Sequence, residues 1–554
     1  IVADPRAIEL SEMADIHLNH LPGTDVALLN GMMRHIVKED LWDKTFVKKR
    51  CEDSDPFLES LDPCALEAVE GITGIPGEKI RQAAELFGRA KRAMVLYGMG
   101  ITQHTTGTDN VKAIANLLML TGNLGRRGTG FSPLRGQNNV QGACDMGALP
   151  NVFPGYQRVN EQLVRSKFEN AWGQSLDGQP GQTLIDMFQN ASEGLIKAMY
   201  IVGENPMLSE SDIKHTREAL AKLDLLVVQD LFLTETAQMA DVVLPAASFA
   251  EKDGTFTSTE RRVQRVRKVL DPPGEARVDW KILAEVASRL GYPLNYGSSA
   301  NIMDEIAELT PIYSGIHHDR LDKSGLQWPC WNRRHRGTPI LHKRQFTRGR
   351  GKFHVVDDKP PAELPSGTYP ILLSTGRILE HWHTGSMSHR SRVLESLAPE
   401  SRVEISPTDA ARLGMEDGDV IALSSRRGKV ETKVKKSNRI RPGQAFMPFH
   451  WRDAPANVLT NPVVDPLAKI PEYKVSSVKA ILAVLERAAE DNAFLSALAE
   501  NPAGALKSYD LTPEHRAALV AGDISSIEKW IGPLEERLQV WLKERLSKEE
   551  WSRG

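Results

Sequence analysis

Short, continuously apolar runs set among helical patterns constrain this chain more than any other feature. Met94-Val95-Leu96-Tyr97, Met199-Tyr200-Ile201-Val202, Leu225-Leu226-Val227-Val228 and Asp241-Val242-Val243-Leu244 read as strands. Helical periodicity runs through 26–38, 64–70, 77–90, 109–120 and 215–222, and Thr121-Gly122-Asn123 supplies a stop for the fourth of these. Such alternation predicts parallel sheets covered on both faces, with binding loops at the carboxyl ends of the strands.

From residue 368 the pattern becomes β. Strands at Ile371–Ser374, Val403–Ile405, Val420–Leu423, Lys429–Val434 and Ala445–Phe449 are punctuated by Asp417-Gly418, Arg427-Gly428 and Pro442-Gly443, which predicts a small closed barrel. Between the two regions lies a helix near 278–291. Residues 310–367, rich in Arg, His, Pro and Gly, follow as a long linker or as loops laid over another part of the assembly. The tail from about 480 is helical. Its last helix carries an apolar stripe, Leu534, Leu538, Trp541 and Leu542, expected to dock a partner subunit.

The 554 residues suffice for three or four domains at roughly 150 residues each. Lys+Arg 69 against Asp+Glu 72 leaves a net charge of −3, which argues against a dedicated nucleic-acid or membrane-surface binder. The basic stretches 261–268 and 333–352 therefore read as solvated faces or subunit contacts. Cys51, Cys64, Cys144 and Cys330 make no CxxC pair, no metal-site spacing and no disulfide framework, which favours a reducing compartment. Ile1-Val2-Ala3-Asp4-Pro5-Arg6 has no initiator Met and reads as a strand tail, so a cut upstream is expected.

The segment Leu134–Gly147 is the chemically unusual one. Gly, Asn and Gln dominate it, so backbone can approach a ligand closely while amides read its heteroatoms. Its sole cation, Arg135, offers a planar fork suited to a carboxylate. A solvated loop with a surface Arg is the plain alternative, and Cys144 reads as a packed thiol.

Residues 135–147, Arg-Gly-Gln-Asn-Asn-Val-Gln-Gly-Ala-Cys-Asp-Met-Gly, resemble the signature of molybdenum- or tungsten-dependent formate dehydrogenase catalytic subunits. These belong to the dimethyl-sulfoxide-reductase superfamily of bis-molybdopterin guanine dinucleotide (bis-MGD) enzymes. Collinear blocks extend the resemblance from residue 1 to about 480: Tyr97–Gln103, Leu120–Gly125, Gly203–Pro206, Val228–Asp230, Ala240–Pro245, Thr375–Arg377, His381–Thr384 and Pro471–Lys474.

The resemblance implies Rossmann-like α/β molybdopterin-binding domains at 1–136 and 137–248, and a connecting region at 249–367. A double-psi-type β-barrel that binds the dinucleotide would follow at 368–483, then a helical extension at 484–554. It places formate orientation on Arg135 and lines the same pocket with Gln137. Met99 and Gln103 match pterin contacts, while Asn205, Ser209, Gln229, Asp230 and Asp279 match positions around one guanine dinucleotide. Arg377, His381, Thr384, Phe449, Asn457, Tyr473 and Lys474 match contacts from the barrel, and Asp4, Arg6 and Asp25 are further candidates. Plainer readings stand beside these: Asp230 and Asp279 as helix caps, and His381 and His383 as a solvated or core-satisfied pair.

The implied reaction is the reversible oxidation of formate to carbon dioxide at a Mo or W centre. Electrons would leave through a 4Fe–4S cluster to iron–sulfur or flavin subunits, NAD-linked or hydrogenase-linked, in the cytoplasm. The family's Cys- or selenocysteine–His pair and its cluster-binding segment are not found, so no metal ligand is assigned here. Both are expected upstream, and residues 1–554 alone are expected to be inactive. The rivals are another molybdopterin oxidoreductase and a non-catalytic electron-transfer scaffold of the same fold. The scaffold reading predicts decay of the blocks quoted above.

Overall fold

A computed structural model describes residues 1–509 and 511–531. The stripe Leu534, Leu538, Trp541 and Leu542 lies outside the described residues. In the amino-terminal part, helices Asp25–Lys38, Leu66–Thr73, Gly77–Arg89 and Gly107–Leu120 bury one core that includes Leu28, Ile36, Ile80 and Leu117. Gly122 ends the last of these in the left-handed region (φ +63°), where a Cβ would stand 2.5 Å from an Asp43 carboxylate oxygen. The adjacent Asn123 accepts from the Ala93 amide at 2.9 Å and so sets the start of strand Met94–Tyr97.

That strand pairs in parallel with Gly130–Pro133. Ala198–Val202, Leu225–Asp230 and Val242–Pro245 form a second parallel sheet with Leu225–Asp230 in the middle. The expectation of sheets covered on both faces is corrected by the structure. Met199, Ile201, Leu226 and Val228 pack inward, whereas Tyr200, Val202, Val242, Val243, Met94 and Leu96 are exposed. Among the described residues these sheets have two and three strands with side chains of one face exposed, and an apolar run reads alike whether one face or two is packed.

The carboxyl-terminal half closes a six-stranded barrel. Around it run Ile371–Gly376, Gln444–Pro448, Arg402–Ile405, Lys429–Lys436, Val420–Ser424 and Ser476–Leu482. Two neighbouring pairs are parallel and the other pairs antiparallel. The five strands read from turn signals are present. Ser476–Leu482 was not among them, because it passes directly into helix Ala483–Glu490 and its apolar end merges with the helical pattern. Leu485, Leu498, Leu506, Leu519 and Ile527 of the tail pack into the same core as barrel residues Ile421, Leu423 and Val434.

The aperiodic stretch 310–367 is laid over the other parts. Gly351–Lys352 pairs with Cys51–Glu52, Phe353 stacks on Phe57 at 4.6 Å, and Leu326–Gln327 extends the sheet of Arg262–Val266. The basic stretches are largely neutralised where they lie. Arg265 and Arg267 face Asp322, Arg333 faces Asp319, and Arg348 faces Glu52. Arg6 is spent as a strap, with its guanidinium on both carboxylate oxygens of Glu404 at 2.7 and 2.8 Å. Asp25 is taken by His20 at 3.1 Å. Arg6 is therefore engaged within the protein, whereas Asp25 keeps its Oδ2 buried without a hydrogen-bond partner.

Candidate functional site

The loop carrying Arg135 meets the barrel. Leu134 donates to the Tyr97 carbonyl at 2.7 Å, and the Arg377 guanidinium lies so close to Gly136 that a Cβ there would sit 2.4 Å from it. A side chain at 136 would displace the Arg377 guanidinium from this position. Arg377 lies 5.8 Å from the centre of the Phe449 ring, which meets His383 edge-on. Lys474 is half-buried beside them, its Nζ on the Thr375 carbonyl at 2.6 Å and its amide on the Gln103 carbonyl at 3.4 Å.

The electrostatics of this cluster are lopsided. Among the described residues no carboxylate pairs with Arg135, Arg377 or Lys474, and Arg377 Nε is buried without a partner. Burial, and then the Arg377 charge, push the Lys474 ammonium down to about 8. The same two causes push His383 down to about 4, so its ring is neutral at pH 7. Cations held out of water without counter-charge are costly, and an anion between them would relieve that cost. At the Gly98-Met99-Gly100 turn no atom stands within 4 Å of where a Cβ on Gly98 or Gly100 would point, which leaves backbone open to a ligand. Met99 and Gln103 lie in and just after this turn, Gln103 Nε2 resting on the Met99 sulfur at 3.6 Å.

A second group forms at the carboxyl ends of strands Ala198–Val202 and Leu225–Asp230. Asn205 accepts from the Thr236 hydroxyl at 2.7 Å and donates to Glu235 at 2.8 Å, so its amide holds the loop that follows the middle strand. Asn457 donates to the Leu208 and Ser209 carbonyls at 2.9 and 3.0 Å, while its Oδ1 is buried without a partner. The Ser209 hydroxyl donates to Glu210, and Thr384 bonds Ser386. Gln229 donates to Asp279 at 2.9 Å and accepts from Tyr200, and Asp279 also takes Lys252. Asp279 thus opens its helix without capping it. Asp230 accepts from the next backbone amide at 2.6 Å, but it closes its strand and no helix starts there, so it is not a helix cap.

His381 is core-satisfied. Its ring bonds the Ser388 hydroxyl at 3.1 Å and the Ala398 carbonyl at 2.6 Å, leaving neither nitrogen for a ligand. Cys144 is half-buried, and burial pushes its thiol up. Gln137 is half-buried two residues from Arg135, and its side chain makes no hydrogen bond among the described residues.

Sequence reasoning found Asp230 at the acid end of this group but missed Glu210. Burial raises Glu204, Glu210 and Asp230, and Glu210 reaches about 7. Tyr473, buried next to Lys474, lies within the field of Glu210 and accepts from the Ser211 amide at 3.2 Å, which joins the acid end to the cationic end. Glu210 had no sequence signal, whereas Glu204 and Asp230 stand in the blocks Gly203–Pro206 and Val228–Asp230.

Glu210 makes the apoprotein pH-sensitive. Between about 4.5 and about 7 the folded chain keeps a proton that the unfolded chain has released, so stability falls as pH rises through that window. The Glu210→Gln apoprotein should melt higher than the parent above pH 7 and at nearly the same temperature below pH 4.5. An unchanged slope of melting temperature against pH in the variant would refute this.

The molybdopterin oxidoreductase family profile matches residues 1–289, and that of the molydopterin dinucleotide binding domain matches 371–477. The chain is 50% identical over 483 residues to the F420-dependent formate dehydrogenase subunit alpha of Methanocaldococcus jannaschii, covering 86% of this chain and 71% of that one. It is 39% identical over 497 residues to formate dehydrogenase H of Escherichia coli, covering 88% and 70%. Among solved structures, acetylene hydratase from Pelobacter acetylenicus superposes with a TM-score of 0.68 at 19% identity, over 87% of this chain and 73% of the other, a likeness of fold alone. The chain therefore belongs to the molybdopterin oxidoreductase family, among its formate dehydrogenase alpha subunits.

Proposed function

We propose that this chain binds bis-MGD with Mo or W and, as part of its holoenzyme, oxidises formate reversibly to carbon dioxide, a proton and two electrons. The observation that carries the reading is the guanidinium of Arg135, which has no carboxylate partner among the described residues and is presented by an amide-rich loop beside the half-buried cations Arg377 and Lys474.

The residues suit the cofactor. Arg377 and Lys474 would face its anionic groups, and the open Gly98-Met99-Gly100 backbone leaves room for a flat ring. Asp230 and Glu204 at the strand ends would accept N–H bonds from a guanine edge. When bound, the cofactor supplies the two-electron redox chemistry. Arg135 binds both formate oxygens with its planar fork and holds the C–H bond at the reacting geometry, which also selects for a small planar anion. Asn205, Gln229, Asp279 and His381 act on loop shape, because their polar atoms are engaged within the protein.

Electrons would leave through iron–sulfur centres to a partner subunit, with F420 as the acceptor in view of the M. jannaschii relative's name. No described helix is long and apolar enough to cross a membrane, and we place the enzyme in the cytoplasm. Purified holoenzyme should contain pterin and stoichiometric Mo or W and should reduce a viologen dye with formate. A metal-free but correctly folded holoenzyme would favour the scaffold reading instead.

A further inference from the structure

Beneath the Arg135 loop lies a buried carboxylate that the proposed reaction does not use. Asp145 is 0% exposed, and among the described residues no cation stands at ion-pair distance from it. Four neutral donors converge on it instead. Gln141 Nε2 and the Tyr156 hydroxyl reach Oδ1, each at 2.8 Å, while the Tyr313 hydroxyl and Trp328 Nε1 reach Oδ2 at 2.6 and 2.7 Å. Burial, and then the Asp145 charge, push both phenols up, so both stay protonated as donors.

Gln141 and Asp145 lie one turn apart on helix Val140–Asp145, a spacing that puts both side chains on one face. The Gln141 amide is oriented by its bonds. Nε2 is spent on Asp145 and on Tyr156 (2.9 Å), so Oε1 faces outward, where it accepts from Arg135 Nη2 at 3.4 Å. That last bond is long, and its acceptor is neutral. It guides the guanidinium without neutralising it, whereas a carboxylate in the same place would capture the fork.

We propose that Asp145 is a positioning residue for the substrate clamp: it fixes the Gln141 amide, whose carbonyl aims Arg135 at the substrate anion. The inference rests on the formate reading above. It also gives work to the region 310–367, which supplies Trp328 and Tyr313 and so clamps the Arg135 loop from below.

The test uses the holoenzyme with Gln141→Met, Trp328→Phe and Asp145→Asn, beside Arg135→Lys as reference. Gln141→Met should raise the KM for formate by about tenfold to a hundredfold, the span for a lost bond to a charged group, with a much smaller change in kcat. The inhibition constant of azide, a non-oxidisable monoanion, should rise in parallel at unchanged metal content, with a lower melting temperature because buried Asp145 loses one of its four donors. Trp328→Phe should shift both constants in the same direction by less. Should Asp145→Asn fail to fold, the other two variants still decide the matter. Unchanged KM and azide inhibition in Gln141→Met at full metal content would overturn the relay. If Arg135→Lys weakens formate and Gln141→Met does not, the relay alone falls. If Arg135→Lys leaves formate affinity intact, the formate reading falls with it.

Discussion

Arg135→Ala in the holoenzyme should lower kcat/KM for formate by about a hundredfold to ten-thousandfold. Two charge-assisted hydrogen bonds at about 1.5–3 kcal/mol each are lost, and every 1.4 kcal/mol is tenfold. Lysine at 135 keeps the charge without the fork and should fall between the two. Because Arg135 is exposed and makes no ion pair among the described residues, melting temperature and metal content should not move. Steady-state kinetics with metal analysis on the same preparation checks all three points. Unaltered turnover and formate affinity in the alanine variant would remove the basis for the proposed reaction.

Arg377→Met should act with opposite sign on the two forms of the protein. In the apoprotein the guanidinium is half-buried, lacks a carboxylate partner and has a buried, orphaned Nε, so a neutral side chain of similar length should raise the melting temperature. In the holoprotein the same change removes a cation from the anionic cofactor and should weaken its retention about tenfold to a hundredfold, the worth of one bond to a charged group. Melting curves of both forms, with pterin released per chain, give the comparison. A variant whose apoprotein is destabilised and whose pterin content is normal would show that Arg377 serves packing alone.

Much of the frame was legible in the chain because it depends on local order. Asp417-Gly418 and Arg427-Gly428 punctuate barrel strands whether or not the barrel has closed, and Gly122 ends its helix through its own backbone preference. The sixth barrel strand escaped because Ser476–Leu482 and the helix after it share one apolar run. The faces of the parallel sheets were misread for a related reason: Tyr200 and Val202 are apolar in character yet exposed, and periodicity does not say how many layers pack.

The site divides the same way. Arg135 and its glycine- and amide-rich surroundings announce an anion clamp through residue type and spacing alone, and lone Cys144 could be set aside on the same terms. Asn205, Gln229 and His381 have the right chemistry for ligand contact, but the structure engages their polar atoms with Glu235, Asp279 and Ala398. Asp145 offered no signal, because its donors arrive from positions 141, 156, 313 and 328. Sequence by itself determined which groups this protein can bring to an anion and in what order along the chain. Only the tertiary structure decided which of them are left unpaired, because a charge is satisfied by whatever stands a few ångströms away, and folding chooses that neighbour from distant parts of the chain.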